Sequence, residues 1–111
     1  MVTDSKVRRC VRVMGYSGRE DVTRQAAVLL RALDIYAERN VRYADNWRRS
    51  GWRGVVVRIR ERSDRLWDAM WPGGIPYGPG PADDAIDLIN FAGFLVRAIE
   101  GETTRDGEWW T

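Results

Sequence analysis

Residues 81–100 read PADDAIDLINFAGFLVRAIE, a run that only an α-helix can organise. Pro81 has the fixed φ of a first helical position, and Asp83 and Asp84 place carboxylates in the first turn, where the helix dipole is positive. Behind them Ile86, Leu88, Ile89, Phe91, Phe94, Leu95 and Ile99 wrap nearly the whole circumference. That pattern predicts a helix from Pro81 to about Glu100, buried on most sides. One polar stripe interrupts it: Asp83, Asp87 and Asn90 recur at i, i+4, i+7, with Asp84 beside them. A carboxylate such as Asp87 in an apolar helix cannot be left bare, because desolvating an isolated charge costs many kcal/mol. It needs an arginine or a metal ion.

Immediately upstream, Pro72, Pro76, Pro79 and Pro81 interleave with Gly73, Gly74, Gly78 and Gly80, a composition that no regular element survives. A second helix is expected before that connection, from Val55 to about Trp71, with Val55, Ile59, Leu66 and Met70 on one side. Glu61, Asp64 and Asp68 are spaced i, i+3, i+7 and share a face bordered by Arg58, Arg62 and Arg65. Alone, this is a solvated ladder in which Glu61–Arg65 and Arg60–Asp64 are ordinary i, i+4 pairs, worth a few tenths of a kcal/mol. Taken with the next helix it gains a second reading. Glu61-x-x-Asp64 and Asp84-x-x-Asp87 on two antiparallel helices would gather four carboxylates, the hard-oxygen cage that Mg²⁺ or Mn²⁺ prefers when it also binds phosphates. Ion pairing to arginines and a metal cage both satisfy these residues.

Further out, Arg42 to Gly54 reads RYADNWRRSGWRG, and Gly51 and Gly54 predict a loop with at most a turn of helix. In it Tyr43, Trp47 and Trp52 interleave with Arg42, Arg48, Arg49 and Arg53, a mixture able to stack a base and grip phosphates, or to pack a bundle end. A first helix is expected from about Arg19 to Val41, capped by Ser17, with Val22, Ala26, Leu29, Leu33, Tyr36 and Ala37 as its core face. The alternating stretch Val7 to Val13 reads as an edge strand or a docked arm. The expectation is an all-α protein: a small bundle of three main helices, possible completion by dimerisation, and a short N-terminal arm.

Length sets the frame for these elements. The chain of 111 residues is read as one domain, with an arm at 1–18, a helical core at 19–100 and a tail at 101–111 ending in Trp109 and Trp110. There is no histidine and one cysteine, Cys10, which excludes zinc fingers, Ser–His–Asp or Cys–His catalysis and an internal disulfide. No run has the roughly 18 apolar residues of a membrane span, so a cytoplasmic protein without a membrane partner is expected. Only Lys6 of the 18 basic residues is lysine, a skew that a GC-rich coding genome produces. Residues 1–65 carry 16 basic against 8 acidic residues and residues 66–111 carry 2 against 8, so a net +8 faces a net −6. Either the halves pair across the fold or the first presents a basic surface. Six tryptophans are hard to bury in so small a chain, which favours a homodimer.

The acid pairs on consecutive helices resemble the metal motif of the all-α MazG-like nucleoside triphosphate pyrophosphohydrolases. From Asn40 to Leu95, with YADNWR at 43–48, RERSDRL at 60–66 and DAIDLINFA at 84–92, the chain more closely resembles the nucleotide-modification-associated domain family common in phages. The resemblance implies a helical bundle that binds a nucleoside phosphate through divalent metal. On that reading Glu61, Asp64, Asp84 and Asp87 are the metal ligands and catalytic acids. Arg62, Arg65 and Arg48 neutralise phosphate, Tyr43, Trp47 or Trp52 stacks the base, and Asn90 hydrogen-bonds the sugar or a carboxylate. The expected reaction is hydrolysis of a nucleoside triphosphate with release of pyrophosphate. Arg60 stands where the MazG-like motif carries a further glutamate, so binding without turnover is also consistent. The other class of reading is a non-catalytic phage protein that binds a host protein or, less favoured, nucleic acid through the basic, tryptophan-rich surface.

Overall fold

The computed structural model describes residues 1–43 (side chains to 40), 51–74 and 80–101. Among these residues the chain is all-α, with four helices where three and an arm were expected: α1 (Asp4–Val13), α2 (Glu20–Tyr43), α3 (Gly51–Met70) and α4 (Pro81–Ile99). No described helix is long and apolar enough to cross a membrane. The chain divides into two compact units, Met1–Arg42 and Tyr43–Thr111.

In the first unit the expected strand or arm is a helix. Thr3 is its N-cap, its side chain accepting from the Lys6 backbone N–H at 3.2 Å, and Asp4 lies in the first turn. Val7 and Val11, one turn apart, are the two buried residues of α1. The alternation of Val and Arg over 7–13 therefore resolves as a four-residue period, because burial of one face outweighs weak local β-propensity. Gly15 and Gly18 take positive φ in the connection, where a side chain would be strained, and the chain turns back into α2. α2 opens at Glu20, leaving Ser17 in the preceding turn instead of at the cap. Arg8 of α1 donates to Glu20 at 3.0 Å, and at the far end Val2 and Ile35 line one shallow groove. The two helices are thus antiparallel.

None of the residues expected as the core face of α2 is fully buried: Val22, Ala26 and Tyr36 are half-buried, and Leu29, Leu33 and Ala37 are exposed. The buried residues are Thr23 and Ala32, which that reading did not single out. α1 is shorter than α2 and docks along the side carrying Ala27, Arg31 and Asp34, about 100–160° around the helix from the leucines.

In the second unit α3 begins at Gly51, so residues 51–54, expected in a loop, form its first turn. Gly51 takes a positive φ, a conformation that favours glycine. α3 and α4 pack along each other, and Val55 of α3 and Ile86 and Ala98 of α4 are buried. Val55 and Ile86 each contribute roughly 1.5–3 kcal/mol of burial. α4 begins at Pro81 as expected but is not buried on most sides: Ala85, Ala92, Val96 and Ile99 are exposed. These four positions fall within about 60° of one another, on a side of α4 away from Asp84 and Asp87. Residues 44–50, 75–79 and 102–111, which include Trp47, Arg48, half of the proline-rich connection and the Trp109–Trp110 tail, lie outside the described residues.

Candidate functional site

The polar stripe of α4 meets the arginines of α3. Arg62 and Arg65 are three residues apart, as are Asp84 and Asp87, so each pair occupies one helix face. Arg65 Nη2 donates to Asp84 Oδ1 at 2.7 Å and Arg62 Nε to Asp87 Oδ2 at 3.3 Å. Moving three residues back on α3 advances three on α4, which makes the helices antiparallel and their charges register one to one. Arg62 Nε also lies 3.7 Å from Asp84 Oδ1, its Nη1 lies 3.6 Å from Glu61 Oε2, and its guanidinium stands 5.6 Å from the centre of the Phe91 ring. One guanidinium is therefore the hub of three carboxylates.

Burial grades across this cluster. Asp84 is 4% exposed, the side chains of Arg62 and Asp87 retain 18% and 17%, and Glu61 is at the solvent rim. The Asp84 carboxylate tolerates that position because two guanidinium groups replace the water it has lost. Such a network adds little net stability over an apolar contact of the same shape. Removing one partner is costly, because it leaves a desolvated charge.

The predicted site residues separate into three groups. Glu61, Arg62, Arg65, Asp84 and Asp87 come together, with Asn90 half-buried one turn further along α4. Asp64 does not join them. It is exposed and pairs with Arg60 at 3.4 Å, the i, i+4 contact of a solvated ladder, while the expected Glu61–Arg65 partner of that ladder is diverted, Arg65 turning inward to Asp84. Trp52 lies ten residues before Arg62, about 15 Å along α3, with the Arg53 guanidinium 5.4 Å from its ring centre. The residue expected to stack a base and the arginine expected to bind phosphate are thus nearly three helical turns apart. Tyr43 closes α2 in the sequence, and Trp47 and Arg48 fall in the undescribed loop.

No known protein family, curated protein or solved structure matches this chain. Its chemistry rests on its own residues. Among the described residues no three His, Cys, Asp or Glu side chains converge so as to hold a metal ion. The four acids do not fit Mg²⁺ or Mn²⁺ in this arrangement: Asp64 is on the outer face, and the Arg62 guanidinium stands between Glu61, Asp84 and Asp87. A divalent ion would have to displace Arg62.

What the sequence reading underweighted is Arg62 as a hub. Its signal was available in the matched i, i+3 steps of Arg62/Arg65 and Asp84/Asp87, which complement each other only between antiparallel helices. The same pairs account for part of the charge asymmetry, since arginines of the basic half neutralise aspartates of the acidic half within one hairpin.

Proposed function

We propose that the α3–α4 hairpin binds a nucleoside triphosphate and that the protein serves nucleotide metabolism. The observation that carries this reading is the convergence of Glu61, Asp84 and Asp87 on one cation across an antiparallel pair of helices. These positions correspond to the acid motifs of the MazG-like resemblance. Arg62 and Arg65 are the groups for phosphate, and the Trp52 end of α3 is the place for a base, with Tyr43, Trp47 and Arg48 supplied by the adjoining segment. Binding stands ahead of turnover. Magnesium-dependent release of pyrophosphate would use Glu61, Asp64, Asp84 and Asp87, and the pairing of Asp84 with Arg65 and of Asp64 with Arg60 works against it.

Thermal denaturation against deoxynucleoside and nucleoside triphosphates, with Mg²⁺ and with EDTA, tests the reading, because a ligand of the native state raises the melting temperature by mass action. At least one nucleotide should stabilise the chain by several degrees, and Arg65→Ala, which removes a group for phosphate, should lose that response. A parallel assay of pyrophosphate release separates binding from hydrolysis. No response to any nucleotide would overturn the proposal.

A second reading, a non-catalytic protein that binds a partner macromolecule, is favoured by one observation: the inner carboxylates already have guanidinium partners and need no ion. In that case a labelled oligonucleotide should bind with steep salt dependence and no response to EDTA.

A further inference from the structure

The face of α3 turned away from α4 is self-complementary. Arg53, Val57, Arg60, Asp64, Trp67 and Trp71 are all exposed, and at 100° per residue they fall within a sector of roughly 80°. Its N-terminal half is basic and its C-terminal half acidic and aromatic. Trp67 and Trp71 stack on each other with ring centres 4.8 Å apart, yet remain 65% and 59% exposed. Two large indoles held together in water on a helix are an apolar patch without a described cover.

We propose that this face pairs with the same face of a second copy, antiparallel, about a two-fold axis passing beside position 62. The order of residues selects both occupant and direction. About that axis Arg60 of one copy opposes Asp64 of the other, Val57 opposes Trp67, and Arg53 opposes Trp71. All three oppositions share one centre, so a single symmetry operation satisfies an ion pair, an apolar contact and a cation–π contact, each made twice. A parallel pairing would set Arg60 against Arg60 and Asp64 against Asp64. The intrahelical Arg60–Asp64 contact, at 3.4 Å and mostly exposed, is weak enough to be exchanged for the intermolecular one.

The covered area is modest. Three apolar side chains and two arginine stems withdraw on the order of 500 Å² per copy, below the ~800 Å² of a standard stable interface. Association in the range of tens of micromolar is therefore expected, by comparison with small transient interfaces. This surface lies on the opposite side of α3 from the Arg62 cluster, so it stands or falls independently of the nucleotide reading.

Sedimentation of the full chain from about 1 to 500 μM tests it, a range that brackets such a dissociation constant. A concentration-dependent dimer is expected, weakened at least tenfold by Trp67→Ala with Trp71→Ala. Arg60→Asp and Asp64→Arg should each abolish self-association, since each sets like charges against each other twice. A one-to-one mixture of those two variants should recover the dimer as a heterodimer, since every opposed pair is then of opposite sign. Both substitutions are on exposed positions, which keeps the test valid if the double tryptophan variant fails to fold. A monomer throughout, a dimer indifferent to these changes, or a mixture no tighter than its components would overturn the proposal. So would tryptophans that are covered only when a different protein is added.

Discussion

Replacing Arg62 by alanine is the sharpest perturbation of the hairpin. The change removes the partner that Asp87 has at 3.3 Å and the second partner of Asp84, which keeps Arg65 at 2.7 Å. Taking one member from a fully buried ion pair costs about 3–5 kcal/mol. Arg62 and Asp87 each keep nearly a fifth of their exposure, and water recovers part of that loss. A destabilisation of about 2–3 kcal/mol is expected, which for a chain of this size lowers the melting temperature by roughly 8–12 °C. The variant then has Glu61, Asp84 and Asp87 without their shared cation, a set that a divalent ion could serve. With a dissociation constant of about 1 mM, ~10 mM Mg²⁺ would return about 1.4 kcal/mol, or roughly 5 °C. Wild-type protein, with the guanidinium in place, should shift by less than about 1 °C under the same conditions. The assay is thermal denaturation followed by circular dichroism with and without MgCl₂, ionic strength matched by NaCl. Equal responses of the two proteins to Mg²⁺, or a loss of less than ~0.5 kcal/mol in the variant, would refute the account of Arg62 as the cation of this cluster.

Thr3→Ala should cost about 1 kcal/mol, because the Lys6 backbone N–H loses its side-chain acceptor, and the loss should appear as fraying of α1 in amide exchange. Two hydrogen bonds from Arg19, at 2.7 and 2.9 Å, hold the Asp21 carboxyl at about 2, below its usual 3.8. Since the folded value is the lower one, whatever this exposed pair contributes is complete above pH 4 and fades as pH falls toward 2. Carboxyl NMR should place the Asp21 midpoint near 2, and Arg19→Ala should return it to the ordinary range. Val55→Ala, at the most enclosed aliphatic side chain of the hairpin, should lose about 2 kcal/mol in denaturant titration without altering the Arg62 cluster.

The helical character of this chain, the Pro81 start of α4 and the buried carboxylate's need for a cation were all legible as sequence, because periodicity, proline geometry and desolvation are local properties. Which cation answered the need was not. Asp84 and Asp87 suit an arginine or a divalent ion equally well on paper, and only the antiparallel register of α3 against α4 put Arg62 and Arg65 opposite them. Asp64 looked equivalent to Glu61 by spacing, but it lies on the far side of α3 from α4, beyond the reach of that partner. In the same way the Val and Arg alternation of residues 7–13 allowed a strand until α2 offered one face on which Val7 and Val11 could both be buried. Leu29 and Leu33 had the right period for a core and missed it, because α1 docks on a different side of α2. A sequence specifies which faces each helix has; which of those faces meet is decided by packing between segments distant in the chain, where one helix can cover only one side of another.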